Sequence, residues 1–272
     1  MGWADEERVR LAAVFADPHV AASYHGRPPY PEALYATLLA QTEGRARALD
    51  LGCGPGKIAR VLADHFDVVV AVDVSAAMLT VGRADDGGRH PNIVWVEGPA
   101  EANVDGAFDL VTAGASIHWF DLAALFPKLA KATPLVATVN DAPVFPHPAP
   151  PCGIDAWIAF LNRWLPHMGR PPITAPPCET NWPPGPAPHE AWIDVAGHAR
   201  FRSRHRQTVE SFIACSHSRV SWNRPAMGQA LLDAFDADLD ALMRPFATEG
   251  MLEVAVVTDL TWGAPRATPC AT

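Results

Sequence analysis

A glycine-rich turn at residues 52–56 is the feature that most constrains the fold of this chain. The turn follows an apolar segment that ends at Leu51 and precedes a helical pattern at residues 57–65. Glycines leave the backbone accessible because they carry no Cβ, and the N-terminus of a helix attracts anionic and polar ligand groups. This order of strand, glycine turn and helix predicts a binding site for a nucleotide-like cofactor.

Short β-branched segments alternate with helical patterns along residues 45–142. The segments that favour strands are 46–51, 68–74, 93–96, 108–113 and 135–139. The helical patterns between them cover 57–65, 76–83 and 122–131, and Pro127 is expected to kink or end the last of these. Near-continuous apolar strands separated by helices are typical of a parallel sheet that is buried on both faces.

Flanking patterns extend this reading. Helices are predicted at 5–16 and 32–41, with a polar, turn-rich stretch at 17–29 between them. Strands at 198–209 and 252–260, with a helical face from Leu232 to Met243, predict that the sheet resumes near the C-terminus. The fold class we expect is α/β, with a doubly wound, mostly parallel, seven-stranded sheet.

The segment 143–188 differs from its surroundings because it holds 14 of the 27 prolines and three tryptophans. Apolar residues from Ile154 to Leu165 follow the spacing of one helix face. We interpret residues 143–190 as a cap insertion over the substrate site. Residues 1–142 would then form the N-terminal helices and the cofactor-binding core, and residues 191–272 the remainder of that core.

Composition argues against several classes of partner. The formal net charge of −9 lacks the basic excess of proteins that neutralise many phosphates, so we expect no nucleic-acid partner. No segment reaches the roughly 18 apolar residues of a membrane span, and the N-terminus is acidic, which predicts no membrane partner and a cytoplasmic location. The five cysteines and eleven histidines are scattered, which predicts reduced thiols and no metal site.

Spacing narrows the choice of cofactor. A phosphate-binding loop needs Ser or Thr after the lysine, whereas Ile58 follows Lys57, and a dinucleotide fingerprint needs glycine at position 57. Asp73 ends the next predicted strand about 20 residues beyond the turn, where a carboxylate can accept hydrogen bonds from ribose hydroxyls. Ser75 suits the N-cap of the next helix, and the thioether of Met78 suits packing on a purine.

Residues 49–56 and 71–75 together resemble the first two motifs of class I S-adenosylmethionine-dependent methyltransferases. Residues 97–101, 108–112 and 117–121 fit the same family. The last segment, with Tyr24 and residues 27–31, is similar to the small-molecule branch that includes trans-aconitate methyltransferases. The resemblance implies a Rossmann-like methyltransferase fold, S-adenosylmethionine as cofactor, and methyl transfer to O, N, S or C of a small molecule.

The resemblance also implies roles for individual residues. Gly52 and Gly54 would admit the methionyl part of the cofactor, Asp73 would hold the ribose, and the backbone of Ala100 would meet adenine. Tyr24 and Arg27 would reach the carboxylate end. The full cofactor-binding set that we expect is Tyr24, Arg27, Gly52, Cys53, Gly54, Asp73, Val74, Met78, Ala100, Glu101 and Ala115.

Two of these implications stay open. Pro99 stands where the family often has a polar residue, which leaves the recognition of the adenine amino group unassigned. Glu101 is either a cofactor contact or a structural residue.

His118 is the candidate catalytic residue because it follows the fourth predicted strand at the edge where α/β sheets bind ligands. It would either remove a proton or pack beside the cofactor. Weaker candidates are Asn140, Asp141 and His217. Four arginines at positions 200, 202, 204 and 206 share one strand face, which indicates a charged edge strand more than a site for an acidic substrate.

Three other functions remain open at this point. A cyclase or lyase acting on the sulfonium, or a non-catalytic binding protein, would use the same cofactor pocket. A dinucleotide oxidoreductase is disfavoured by Lys57. The sequence predicts neither the methyl acceptor nor the oligomeric state.

Overall fold

The computed structural model describes residues 13–141, 152–173, 187–219, 222 and 227–270. Its centre is one seven-stranded sheet in the order β3-β2-β1-β4-β5-β7-β6. The strands are β1 (Arg47–Leu51), β2 (Val68–Asp73), β3 (Ile93–Glu97), β4 (Leu110–Gly114), β5 (Val136–Asp141), β6 (Ile193–Thr208) and β7 (Met251–Pro265).

Strands β1 to β5 pair in parallel, and β7 runs antiparallel to both of its neighbours, β5 and β6. The predicted α/β class with a mostly parallel seven-stranded sheet is confirmed.

Helices flank the sheet and connect its strands. Their bounds are α1 (Pro18–Ser23), α2 (Glu32–Ala40), α3 (Lys57–Ala63), α4 (Ala76–Asp86), α5 (Leu122–Ala132), α6 (Ile154–Trp164), α7 (Val209–His217) and α8 (Gln229–Met243). The predicted helix at 5–16 lies mostly outside the described residues, which begin with a 3-10 turn at Ala13–Ala16.

Two of these helices contradict the sequence-based expectation. Helix α1 occupies part of the stretch 17–29, for which a polar, turn-rich segment was expected. The Asp17 carboxylate caps this helix by accepting the His19 N–H at 2.8 Å. Helix α7 begins at Val209, the residue at which the predicted strand ends. There Thr208 caps the helix by accepting the Ser211 N–H at 3.1 Å.

Side chains of the central strands alternate between two apolar layers. Ala48 packs with Leu62 of α3 in one layer, whereas its neighbour Leu49 packs with Phe126 of α5 in the other. This alternation follows from the two-residue period of a strand, so helices cover both faces of the sheet.

Helix α5 continues through Pro127 to Ala132, so this proline does not end the helix, the second of the two expected outcomes. Leu125, Phe126 and Leu129 are fully buried on either side of it. Burying such a side chain contributes roughly 1.5–3 kcal/mol, and three of them exceed the ~3 kcal/mol cost of a proline inside a helix. Packing therefore keeps the helix intact.

A separate apolar cluster lies beyond the central layers. It joins α6, α7 and α8 to the end of β7 that begins at Met251, through Phe160, Phe212, Phe235 and Val254. The expected helix face on α6 is therefore buried against elements that follow position 208. The division into a cap at 143–190 and a core remainder at 191–272 stays a prediction, and residues 142–151 and 174–186 lie outside the described ranges.

Within the described ranges, no helix has both the length and the apolar character needed to cross a membrane.

Candidate functional site

A cavity opens at the carboxyl edge of the parallel strands, the edge where α/β sheets bind ligands. Its wall includes the residues that directly follow β1, β2 and β4, together with the segment that precedes α2. All of the expected cofactor-binding residues except Glu101 line this cavity. They are Tyr24, Arg27, Gly52, Cys53, Gly54, Asp73, Val74, Met78, Ala100 and Ala115.

Gly52 and Gly54, in the turn after β1, have different surroundings. Both have left-handed backbones, with φ of 62° at Gly52 and 53° at Gly54. A Cβ added at Gly52 would come within 2.5 Å of the Ser116 Cβ, whereas a Cβ at Gly54 would meet only the Tyr24 ring, at 3.9 Å. Gly52 thus allows close packing against the loop after β4, and Gly54 leaves space beside the cavity.

Asp73, the last residue of β2, is held rigidly at the cavity edge. Its Oδ2 accepts the Gly54 N–H at 2.8 Å, and its Oδ1 accepts the Ser75 N–H at 2.8 Å. Burial raises the pKa of this carboxyl, and the two N–H donors partly oppose that rise. A carboxylate has about four acceptor positions, so two bonds to the backbone leave capacity for two more.

A second carboxyl, that of Asp50, lies beneath the glycine turn. The Thr112 hydroxyl donates to Oδ1 at 2.8 Å, and the Ala59 N–H donates to Oδ2 at 3.2 Å. Burial raises the pKa of Asp50 to about 7, although both hydrogen bonds favour the charged form. Asp50 thus joins β1, α3 and β4 directly under the site.

The segment before α2 forms one wall of the cavity. The Arg27 guanidinium lies 4.2 Å from the centre of the Tyr24 ring, and it donates to the Ser218 hydroxyl at 2.7 Å and to the Ser218 carbonyl at 2.8 Å. The Lys57 ammonium donates to the carbonyls of Arg27 and Pro28. The bonds of Lys57 connect this wall to the start of α3, directly after the glycine turn. The bonds of Arg27 connect it to Ser218, which follows α7.

The start of α4 forms the opposite side of the cavity. Ser75 caps this helix as expected, because its hydroxyl accepts the Met78 N–H at 3.1 Å. The Val74 side chain is 57% exposed although it is apolar, and it lines the cavity beside buried Ala100. An exposed apolar side chain in a cavity is suited to contact a ring.

Glu101 has a structural position instead of a place in the cavity wall. Its carboxylate accepts the Asp121 N–H at 2.6 Å, and its carbonyl accepts the Lys128 ammonium at 2.6 Å. The expectation of a cofactor contact at Glu101 is therefore not supported, because its carboxylate is hydrogen-bonded to the start of α5.

His118 is not brought into the cavity. Its side chain is exposed, and its ring lies 4.6 Å from that of Trp119, whereas Trp119 and Phe120 line the cavity. The structure therefore gives no support to proton removal by His118.

The weaker candidates do not join the site either. The His217 ring is fully buried among α7 and α8, where Nδ1 lies 2.6 Å from the Trp222 carbonyl and Nε2 lies 2.6 Å from the Asp236 carboxylate. Asn140 is partly buried and is not in the cavity wall, and the Asp141 side chain lies outside the described residues.

The arginines of β6 lie on an edge strand, as the preferred interpretation predicts. Arg200 makes a bidentate pair with Asp259 of β7, at 2.7 and 2.8 Å, and Arg204 pairs with Glu253. The exposed Arg204–Glu253 pair supports the charged-edge interpretation, whereas the Arg200–Asp259 pair is largely buried.

Several cavity residues were missed by sequence reasoning. Asp50 and Lys57 flank the glycine turn, so the motif itself was a signal for them. Cys215, Arg219, Val256 and Thr258 come from α7, the turn after it and β7, far from any motif. No group of histidine, cysteine and acidic side chains suited to a metal ion occurs in the described ranges.

Comparison with known proteins agrees with this geometry. Residues 48–134 match a family model described as a methyltransferase domain. The chain is 30% identical over 109 residues to a probable S-adenosylmethionine-dependent methyltransferase of Saccharomyces cerevisiae, CRG1, with 38% of each chain covered. It is 37% identical over 100 residues to trans-aconitate 2-methyltransferase of Methylobacterium radiotolerans, with 35% of this chain and 37% of that protein covered.

The aligned segments span less than two fifths of the length of these two relatives. A solved structure from Anaeromyxobacter dehalogenans, provisionally named a Type II methyltransferase, matches over 90% of this chain and 99% of its own. Its TM-score is 0.58 at 23% identity, a level of similarity that shows the shared fold.

Proposed function

We propose that the protein transfers the methyl group of S-adenosylmethionine to a small molecule, because residues 48–134 match a family model described as a methyltransferase domain. The observation that supports this proposal most directly is the hydrogen bond between Asp73 and the glycine turn. Its carboxylate is fixed by the N–H groups of Gly54 and Ser75 and keeps acceptor capacity at the cavity edge.

The residues present fit this cofactor. Asp73 would hold the ribose hydroxyls, since two vicinal hydroxyls match its two remaining acceptor positions. Val74 and Ala100 offer apolar contact for adenine, and Gly54 leaves its backbone accessible to the methionyl part. When bound, S-adenosylmethionine supplies an electrophilic methyl group on a positively charged sulfur.

The chain's own contribution is mainly positioning and exclusion of water. Phe15, Trp119 and Phe120 line the cavity, and the Phe15 ring meets the Trp119 ring edge-on at 5.6 Å. These rings would shield the transfer from solvent. Methyl transfer is an in-line displacement, so alignment of the acceptor supplies much of the rate enhancement.

The described cavity wall contains no histidine. Its lysine, Lys57, donates to two backbone carbonyls, and its carboxyl beneath the turn, Asp50, is fully buried. These placements favour a mechanism in which the protein aligns an acceptor that needs no strong general base.

The proposal is tested by calorimetry with S-adenosylhomocysteine, followed by product analysis with S-adenosylmethionine and a panel of metabolites. We expect binding in the micromolar range and release of S-adenosylhomocysteine with at least one metabolite. Absence of S-adenosylhomocysteine binding would contradict the proposal. Release of methylthioadenosine would instead identify a cyclase or lyase, and NADH binding would identify an oxidoreductase.

A further inference from the structure

Arg219 is a cationic side chain of the cavity wall, as are Arg27 and Lys57. It lies in the turn after α7 and is half-buried. In the described part of the chain, no acidic side chain lies within ion-pair distance of its guanidinium, whereas Arg200 and Arg244 both pair with carboxylates. A cation that is partly withdrawn from water without a counter-ion is suited to bind an anion from solution.

The other two cations of the wall are engaged within the chain. The Arg27 guanidinium donates from Nε to the Ser218 hydroxyl at 2.7 Å and from Nη2 to the Ser218 carbonyl at 2.8 Å. These bonds occupy one edge of its fork, and the Tyr24 ring, 4.2 Å away, covers one of its faces. The Lys57 ammonium donates to two backbone carbonyls of the same wall. Arg219 therefore has more donors available for a ligand than either of them.

Helix α7 is packed tightly against the segment that precedes α2. A Cβ on Gly26 would lie 2.3 Å from the Ser211 carbonyl oxygen and 2.6 Å from the Cys215 amide nitrogen. Any larger residue would collide there, so the backbone at position 26 contacts the backbone of α7 directly. Arg219 follows Cys215 by four residues, about one helical turn, and lines the same cavity. This packing places Arg219 beside the wall formed by residues 24–27.

That wall borders the part of the cavity where the methionyl group would lie. Asp73, the proposed partner of the ribose, ends β2, and β1 is the next strand of the sheet. From the ribose, the methionyl chain would pass over the turn after β1, where a Cβ on Gly54 would meet only the Tyr24 ring. Arg27 packs on that ring and is hydrogen-bonded to the residue that precedes Arg219. The guanidinium of Arg219 is thus expected at the end of the cofactor that carries the carboxylate.

We propose that Arg219, and not Arg27, binds the carboxylate of the methionyl part of the cofactor. The inference rests on the proposed function, since it assigns a partner to one end of the same cofactor. Arg219 would form a bidentate ion pair, because the fork of a guanidinium matches two carboxylate oxygens. Arg27 would be a positioning residue that holds Ser218 and therefore the start of the turn that carries Arg219.

The experiment compares two ligands that differ only at the carboxylate. Calorimetry with the full chain measures the Kd of S-adenosylhomocysteine and of decarboxylated S-adenosylhomocysteine, in which hydrogen replaces the carboxylate. We expect wild type to bind S-adenosylhomocysteine at least tenfold more tightly than the decarboxylated ligand. Arg219→Gln should raise the Kd of S-adenosylhomocysteine at least tenfold and change that of the decarboxylated ligand less than threefold, so that the preference for the carboxylate disappears.

Arg170→Gln is the matched control, at an exposed position outside the cavity wall, and should leave both Kd values unchanged. Thermal unfolding of each variant reports whether it folds. Arg219→Lys keeps the charge but loses the fork, so it should weaken S-adenosylhomocysteine binding about threefold to tenfold, and it provides the test if Arg219→Gln does not fold.

Three results would overturn the inference. The first is unchanged binding of S-adenosylhomocysteine by Arg219→Gln. The second is an equal loss for both ligands in that variant, which would show a structural role for Arg219. The third is a preference for the carboxylate that survives in Arg219→Gln and disappears in Arg27→Lys, which would return the carboxylate to Arg27.

The two proposals fail in different ways. Wild type that binds neither ligand contradicts the proposed function, and the assignment of Arg219 with it. Wild type that binds both ligands equally well supports the proposed cofactor and overturns the assignment of Arg219 alone.

Discussion

The Gly54 N–H donates to the Asp73 carboxylate at 2.8 Å, which joins the turn after β1 to the last residue of β2. One carboxylate therefore both shapes the glycine turn and presents acceptor oxygens to the cavity. Because the same side chain serves both purposes, its replacement is expected to affect both the glycine turn and the binding of the cofactor.

Asp73→Asn should raise the Kd for S-adenosylhomocysteine between tenfold and a hundredfold. The amide keeps the size of the side chain but loses the charge and one acceptor oxygen, and hydrogen bonds to charged groups are worth about 1.5–3 kcal/mol. Calorimetry measures the change. Asp67→Asn, exposed just before β2 at the opposite edge of the sheet, is the matched control and should bind normally.

Gly52→Ala and Gly54→Ala should separate folding from binding. Both substitutions place a side chain at positive φ, which costs about 1–2 kcal/mol. A methyl at Gly52 also collides with Ser116, so this variant should lose stability beyond that cost, whereas Gly54→Ala should fold and bind S-adenosylhomocysteine more weakly. Urea unfolding and calorimetry distinguish the two, and equal losses of stability would contradict the assignment of Gly54 to the ligand side.

The strands and the end of the cavity at the glycine turn were predictable because their signals are local. Apolar runs mark β1 and β2, and Asp73 follows the glycine turn at a recognisable distance. Helix α1 was missed since its six residues are too few to show a helical period. The strand predicted at 198–209 extends one residue too far. Val209 fits the two-residue alternation of the strand, although Thr208 already caps α7.

The part of the cavity wall that comes from α7 and β7 could not be predicted, because tertiary pairing creates it. Thr258 reaches the cavity only because β7 pairs with β5, and Arg219 only because α7 packs beside the segment at Tyr24. Neither residue lies near a motif. His118 did follow a motif, yet the short 3-10 turn at Ile117–Trp119 leaves its ring exposed and not in the cavity wall.

Arg27 and Ser218 should be energetically coupled. The guanidinium makes two hydrogen bonds to Ser218, and these link the wall before α2 to the turn after α7. A double-mutant cycle with Arg27→Lys and Ser218→Ala, followed by urea unfolding, should give a coupling energy of about 1–2 kcal/mol. Additive losses would show that the bond to the Ser218 hydroxyl contributes nothing to stability, since Ser218→Ala leaves the backbone carbonyl in place.

Asp50 should make stability depend on pH. Its folded pKa of about 7 lies above the value near 3.9 of an unfolded aspartate. Between these values the unfolded chain releases a proton that the folded chain retains, so stability falls as pH rises from about 4 to about 7 and then levels off.

Asp50→Asn removes this dependence. The free energy of unfolding of wild type, relative to the variant, should decline by up to about 1.4 kcal/mol per pH unit between pH 5 and 7 and change little above pH 7.5. Urea unfolding at several pH values measures it. The exposed Asp105→Asn should run parallel to wild type, and a parallel curve for Asp50→Asn would refute a protonated Asp50.

His118→Ala should retain kcat within about threefold, because the ring is exposed and is absent from the cavity wall. General-base catalysis typically contributes a factor of 10² to 10⁴, so loss of a true base would be unmistakable. Phe120→Ala is the informative comparison, since its ring lines the cavity and a Cβ on Gly52 would lie 3.1 Å from it. That variant should weaken S-adenosylhomocysteine binding at least tenfold. A hundredfold loss of kcat in His118→Ala, with cofactor binding intact, would restore His118 as the base and require the loop after β4 to rearrange when the acceptor binds.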